Sequence, residues 1–239
     1  SPDDYSPAIR TIADEMAIKA DLASRLSMVS NPTPLVREAL AAPDPTGARG
    51  VAVADLFRQR GDMLHAHMAL RIASTRNIDL TTEQRLAYAT EYMKISNPVA
   101  AARLLAPLGD GSGTATGSAM SPDQRQTLMQ LRMGISVAQS DLLNQRGDQA
   151  AAYDHLAPAL QADPEATSPK LALARLYNGR GKYGHALDID LAVLRHNPQD
   201  LDARQAAVQA AANDGKDNLA MQLAQDGVQQ SPMDARSWL

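Results

Sequence analysis

The stretch TSPKLALARLYNGRGKYGHALDIDLAVLRHNPQD, Thr167 to Asp200, reads as two helices around one tight turn with a stop behind them. Its glycine, alanine and proline recur at a fixed interval of 34: Gly147, Gly181, Gly215; Ala152, Ala186, Ala220; Pro164, Pro198, Pro232. Given the first of each, chance supplies the later glycines and prolines about once in 10^5 at ordinary residue usage. Each residue has a mechanical task. Glycine suits the left-handed position that ends the first helix, where another L-residue loses roughly 1 kcal/mol. Alanine lets the second helix cross the first closely, where a larger side chain costs roughly 1–3 kcal/mol. Proline lacks an amide hydrogen and halts the second helix. The chain is therefore expected to be an all-α stack of helix-turn-helix units.

These residues resemble the tetratricopeptide repeat, a 34-residue unit with small residues at positions 8, 20 and 27, Tyr at 11 and Pro at 32. In the unit Thr167–Asp200, Leu173, Ala174, Tyr177, Gly181, Tyr183, Ala186 and Pro198 stand in the expected places. Asp190 departs where the pattern has a large apolar residue, and Val193 where it has Ala, which suggests a loosened contact there. Units from Met133 and Leu201 flank it, and Trp238 falls on position 4 of a fourth, so the array is expected to continue. Gln59-Arg60-Gly61-Asp62 returns as Gln145-Arg146-Gly147-Asp148, 86 residues on, which is two periods of 34 with 18 left over. The repeated Arg-Gly-Asp reads as a turn.

The surplus falls around the Gly-, Ser- and Thr-rich stretch 109–118, expected to be a flexible loop. The organisation that follows is a long and a short helix in 1–46, two repeats in 47–108, an insert in 109–121, and three repeats with the start of a fourth in 122–239. Ile9, Ile12, Met16, Leu22, Leu26 and Val29 keep helical spacing, giving a helix from about Pro7 to Ser30 and a short one over Pro34–Ala42. The breaker Pro43-Asp44-Pro45-Thr46-Gly47 closes that segment. Thr81 with Gln84 and Ser121 with Gln124 read as capping boxes. Asn97-Pro98 and Ser168-Pro169 read as caps followed by proline. The tetratricopeptide likeness implies a right-handed superhelical solenoid.

Composition narrows the function. Aromatics are 3% against 44% hydrophobic residues, so the core must be built from Ala and Leu at close helix spacing. A net charge of -4 argues against nucleic acid as a partner, since that surface needs clustered Lys and Arg. There is no cysteine, hence no disulfide or thiolate metal site. No apolar run approaches 18 residues and no apolar leader stands at the start, so this stretch is expected neither to span a membrane nor to carry its own export signal. His65 and His67 are two apart on a helix and point away from each other, and His155, His185 and His196 have no ligand one turn away. Asp188 and Asp190 meet the same objection. No phosphate loop or nucleophile elbow occurs, so neither a cofactor, a metal nor an active site is expected.

Function is then expected on a surface. In stacked repeats of this pattern, positions 2, 5, 9, 12 and 13 of each first helix line the inner face. The binding candidates in those columns are Asp55, Arg58, Arg85 and Tyr92 in the earlier repeats, and Asp141, Asn144, Arg175, Asn178, Gln205, Gln209 and Asn213 in the later ones. Asn144 and Asn178, one period apart, are expected to stack as a ladder of amides able to hydrogen-bond an extended polymer or peptide. Tyr88 and Tyr92, one turn apart, read as core first and as a sugar-stacking shelf second.

The runs Leu171–Tyr177, Ile189–Pro198 and Ser231–Leu239 are similar to the repeat region of the cellulose synthase operon protein C family. That resemblance implies a non-enzymatic periplasmic scaffold, set ahead of an outer-membrane β-barrel through which the glucan leaves. The implied partners are other cellulose synthase subunits or envelope proteins, with the glucan chain or peptidoglycan as the polymer in the groove. The competing expectation is a general docking module for an extended peptide or a partner helix.

Overall fold

In the computed structural model, the described residues are 7–76, 79–109 and 119–230. Among them stand twelve α-helices: α1 Pro7–Leu26, α2 Thr33–Ala39, α3 Ala48–Gln59, α4 Met63–Thr75, α5 Thr82–Lys94, α6 Pro98–Leu105, α7 Pro122–Gln145, α8 Gln149–Ala162, α9 Thr167–Gly179, α10 Tyr183–His196, α11 Leu201–Asn213 and α12 Asp217–Gln230. The expected all-α architecture of helical hairpins is what the chain forms. It divides into two compact units, 1–135 and 136–239, with the division inside α7.

The period of 34 is visible in the backbone. Gly147, Gly181 and Gly215 have φ of 81°, 69° and 72°, and Gly61 in the earlier repeat has 76°. A Cβ at any of these four would meet nothing within 4 Å, so their glycines answer to backbone strain alone. Gly181→Ala is therefore expected to cost about 1 kcal/mol with no rearrangement around it, as a shift of the urea midpoint at unchanged slope checks. The repeated Arg-Gly-Asp is a turn, as read: the glycine ends one helix, and Asp62 and Asp148 cap the next by accepting from His65 N and Ala151 N. In the repeat formed by α5 and α6 no glycine stands at this place, and Ser96 takes φ 58° instead.

Ala66, Ala152 and Ala186 are fully enclosed where second helices cross first ones, and Pro164 and Pro198 follow the ends of α8 and α10. Pro232 and Trp238 lie outside the described residues, as does most of the expected loop at 110–118. The surplus residues are not all loop, because α7 runs unbroken from Pro122 and so adds helix ahead of Met133. Both capping boxes form, with Gln84 N to Thr81 Oγ1 and Gln124 N to Ser121 Oγ at 3.1 Å, and Asn97 accepts from Ala100 N. Ser168 does not cap. Helix α9 starts at Thr167 after Ala166, and Pro169 is tolerated because first-turn amides have no intrahelical acceptor.

Unit 1 packs Phe57, Leu70, Tyr88, Leu105 and Leu128 around Val36 and Val53. Helix α1 stops at Leu26, short of the expected Ser30, and lies on this core through Leu22 and Leu26 while Ile12, Met16 and Val29 stay exposed. Helix α2 likewise closes at Ala39 instead of Ala42. Asp44, inside the Pro-rich breaker, ties the unit together. Its carboxylate accepts from Arg49 N (2.9 Å), Gly50 N (2.8 Å) and Tyr88 Oη (2.8 Å), and its carbonyl from Gln84 Nε2 (2.6 Å). In unit 2, the buried apolar residues of α11 are all alanines, Ala203, Ala207, Ala210 and Ala211, packed in one core with residues of α9, α10 and α12.

Candidate functional site

In unit 2, four of the expected inner-face residues come together. Arg175 and Asn178 from α9 and Gln205 and Gln209 from α11 line one cleft of about 570 Å³. Thr167, Ser168, Asp200 and Asp202 complete its polar wall, and Leu171 and Ala206 its apolar part. Ser168 and Asp202 stand at position 2 of their units, an inner column, so the repeat register itself points to them.

Arg175 is preset. Its Nε and Nη2 both donate to Asp141 at 2.8 Å, a bidentate pair joining residues one repeat apart. Asn144, expected to stack with Asn178, instead donates Nδ2 to the Arg175 carbonyl at 3.2 Å. The space for this comes from Gly179, where a Cβ would sit 2.6 Å from Asn144 Oδ1. The amide ladder is thus replaced by a seal between successive repeats, extended by Gln149 Nε2 to Gly179 O at 2.6 Å. Asn178 keeps a side-chain oxygen with no partner in the structure. Asn213, at the end of α11, is exposed and does not line the cleft.

Behind this face sits Asp190 of α10, fully buried, with neither carboxylate oxygen hydrogen-bonded. Burial pushes its pKa up to about 7, and the Arg175 charge offsets that only in part. The departure from the repeat pattern at this position is therefore a buried carboxyl held at an energetic cost.

In unit 1 the expected inner face is already occupied. Asp55 is 7% exposed and accepts from Lys19 of α1, from Arg58 and from Gln59 Nε2 (2.8 Å). Burial alone would raise its pKa, but the hydrogen bonds from Lys19 and Arg58 outweigh that and hold it low. Arg85 spends its guanidinium on the carbonyls of Leu80 and Leu104, both at 3.2 Å. Tyr92 is buried, its hydroxyl 3.5 Å from Ser74 Oγ, and Tyr88 is core, which leaves no stacking shelf. Asp55, Arg58, Arg85 and Tyr92 therefore hold the fold together here, and an open polar face built from these four is not what forms. His65 is also structural, bridging Asp62 Oδ2 (2.7 Å) and Thr33 Oγ1 (3.1 Å) over the ring of Phe57. Among the described residues no cluster of His, Asp and Glu is arranged to hold a metal, and no helix is long and apolar enough to cross a membrane.

No protein-family model matches the chain. Two solved structures of MamA align at 18% and 17% identity with a TM-score of 0.48, covering 81% and 77% of this chain and 96% and 97% of theirs. Cellulose synthase operon protein C of Komagataeibacter xylinus is 84% identical over all 239 residues, and that of Komagataeibacter sucrofermentans 82%. Cellulose synthase 2 operon protein C of Komagataeibacter xylinus is 30% identical over 71% of the chain and 13% of its own length. The chain spans 18% of the length of the first two. With the 34-residue hairpins and this identity from end to end, the chain belongs, as a stretch of helical repeats, to the cellulose synthase operon protein C family.

Proposed function

We propose that this stretch is a non-catalytic periplasmic scaffold of a bacterial cellulose secretion system. It links the inner-membrane synthase and other synthase subunits to an outer-membrane export pore, and contacts the glucan chain along the inner face of unit 2. The observation that carries the glucan contact is the open cleft in which Arg175, Asn178, Gln205 and Gln209 converge. Amides and a guanidinium held by Asp141 offer donors and acceptors at fixed places, which suits a neutral polymer dense in hydroxyls. The end-to-end likeness to operon protein C supports the secretion role.

Titrating the 239-residue chain with cello-oligosaccharides and following amide shifts by NMR tests the contact. Asn178, Gln205 and Gln209 are expected to move together in the millimolar range, with buried Tyr92 as the internal control. Gln205→Ala combined with Gln209→Ala is expected to weaken the response at least about threefold, the loss of two or more hydrogen bonds of modest net strength. Shifts absent at millimolar sugar, or unaffected by the double variant, would leave the stretch as a spacer only.

A further inference from the structure

A second cleft, of about 700 Å³, lies in unit 1, walled by α4 and α6 and floored by Tyr92 of α5. Its lining includes Arg71, Arg103, His67 and Leu64, and no carboxylate. The bias runs deeper than the lining: α4 and α6 contain no Asp or Glu along their whole length. Arg71 and Arg103 are exposed, and among the described residues neither has a hydrogen bond or ion pair from its guanidinium. In a chain of net charge -4, two uncompensated arginines facing one cleft stand out. Leu64, 76% exposed at its edge, and Met68 inside it add an apolar contact surface.

The geometry points to a docking site for an acidic segment of a partner protein, one that brings carboxylates to Arg71 and Arg103 and a large apolar residue to Leu64 and Met68. Planar guanidinium groups receive carboxylates in a two-pronged fashion and tolerate partial burial better than lysine does. A neutral glucan would leave both charges without a counter-charge, so this cleft and the one in unit 2 serve different ligands. Two arginines are also too few for the counterion release that drives nucleic-acid binding. The inference stands whether or not unit 2 contacts sugar.

Fluorescence anisotropy of the 239-residue chain with a labelled Glu-rich peptide containing one Leu tests it. The peptide is expected to bind, and its Gln-for-Glu counterpart to bind at least about tenfold more weakly. Arg71→Gln with Arg103→Gln is expected to remove a similar factor while circular dichroism stays unchanged, because both side chains are exposed. Affinity is also expected to fall with added salt. Equal binding of the Gln peptide, an unaffected double variant, or no binding at millimolar protein would overturn the proposal. So would co-sedimentation with phosphatidylglycerol vesicles that the double variant abolishes, since the cleft would then serve a lipid surface.

Discussion

Asp190→Asn is expected to raise stability by about 2–4 kcal/mol at pH 8 and to change it little at pH 4. In the folded protein the Asp190 carboxyl titrates near pH 7, against 3.8 for the free group, because burial disfavours its charge. A folded value above the unfolded one means the stability of the neutral form is complete below pH 4. It is lost progressively as pH rises from about 4 to about 7, and no further above that. At about 1.4 kcal/mol per pH unit, the full interval would approach about 4 kcal/mol, and solvent penetration into the folded state lowers that. Asparagine matches the shape of the neutral acid and cannot ionise, so urea midpoints of the two proteins should converge at low pH, draw apart between about pH 4 and 7, and stay apart above that. Asp190→Leu, which restores the apolar residue usual at this repeat position, should stabilise at both pH values. A variant that tracks the wild type across the whole range would mean that Asp190 stays charged and solvated.

Asp44→Ala is expected to destabilise unit 1 by about 2–4 kcal/mol. The carboxylate serves two first-turn amides of α3 and the hydroxyl of enclosed Tyr88. Losing a helix cap costs typically about 1 kcal/mol, and a buried hydroxyl left without an acceptor about 1–3 kcal/mol more. Tyr88→Phe separates the two contributions: combined with Asp44→Ala it should recover much of the hydroxyl penalty, while in the wild type it should cost little. Equilibrium urea unfolding of the four proteins forms a double-mutant cycle, and a coupling near zero would show the two side chains to be independent.

The fold was legible because its determinants are local and periodic. Gly147, Gly181 and Gly215 announce left-handed turns, Thr81 with Gln84 and Ser121 with Gln124 announce helix starts, and the structure has them all. Local rules failed where solvent or distant chain decides. Helix α8 runs on past Pro158, which is exposed, where water can serve the freed carbonyl. The site was half legible for a related reason. Repeat positions say which way a side chain leaves its helix, and Arg175, Asn178, Gln205 and Gln209, polar members of the inner columns, line one cleft. They do not say what lies against that face. Lys19 of α1, 36 residues earlier, engages Asp55, and Arg85 turns to backbone carbonyls, so the four candidates of unit 1 do not gather in one cleft as those of unit 2 do. The cleft of Arg71 and Arg103 has its own signal in the sequence, which is neither a catalytic motif nor a ladder: α4 and α6 carry no acidic residue in a chain that is acidic as a whole.

Side-chain stitches between repeats in unit 2 join residues 30 to 34 positions apart: Asn144 to Arg175, Gln149 to Gly179 and Arg180, and Asp141 to Arg175. Among the described residues none of these bonds reaches further along the chain. As the polypeptide emerges during synthesis, each hairpin can therefore be clasped as soon as the next has appeared, with no long stretch waiting unpaired for a remote companion. Assembly can keep pace with chain growth, and damage to one hairpin should slow the neighbouring step while leaving more distant ones to form on time.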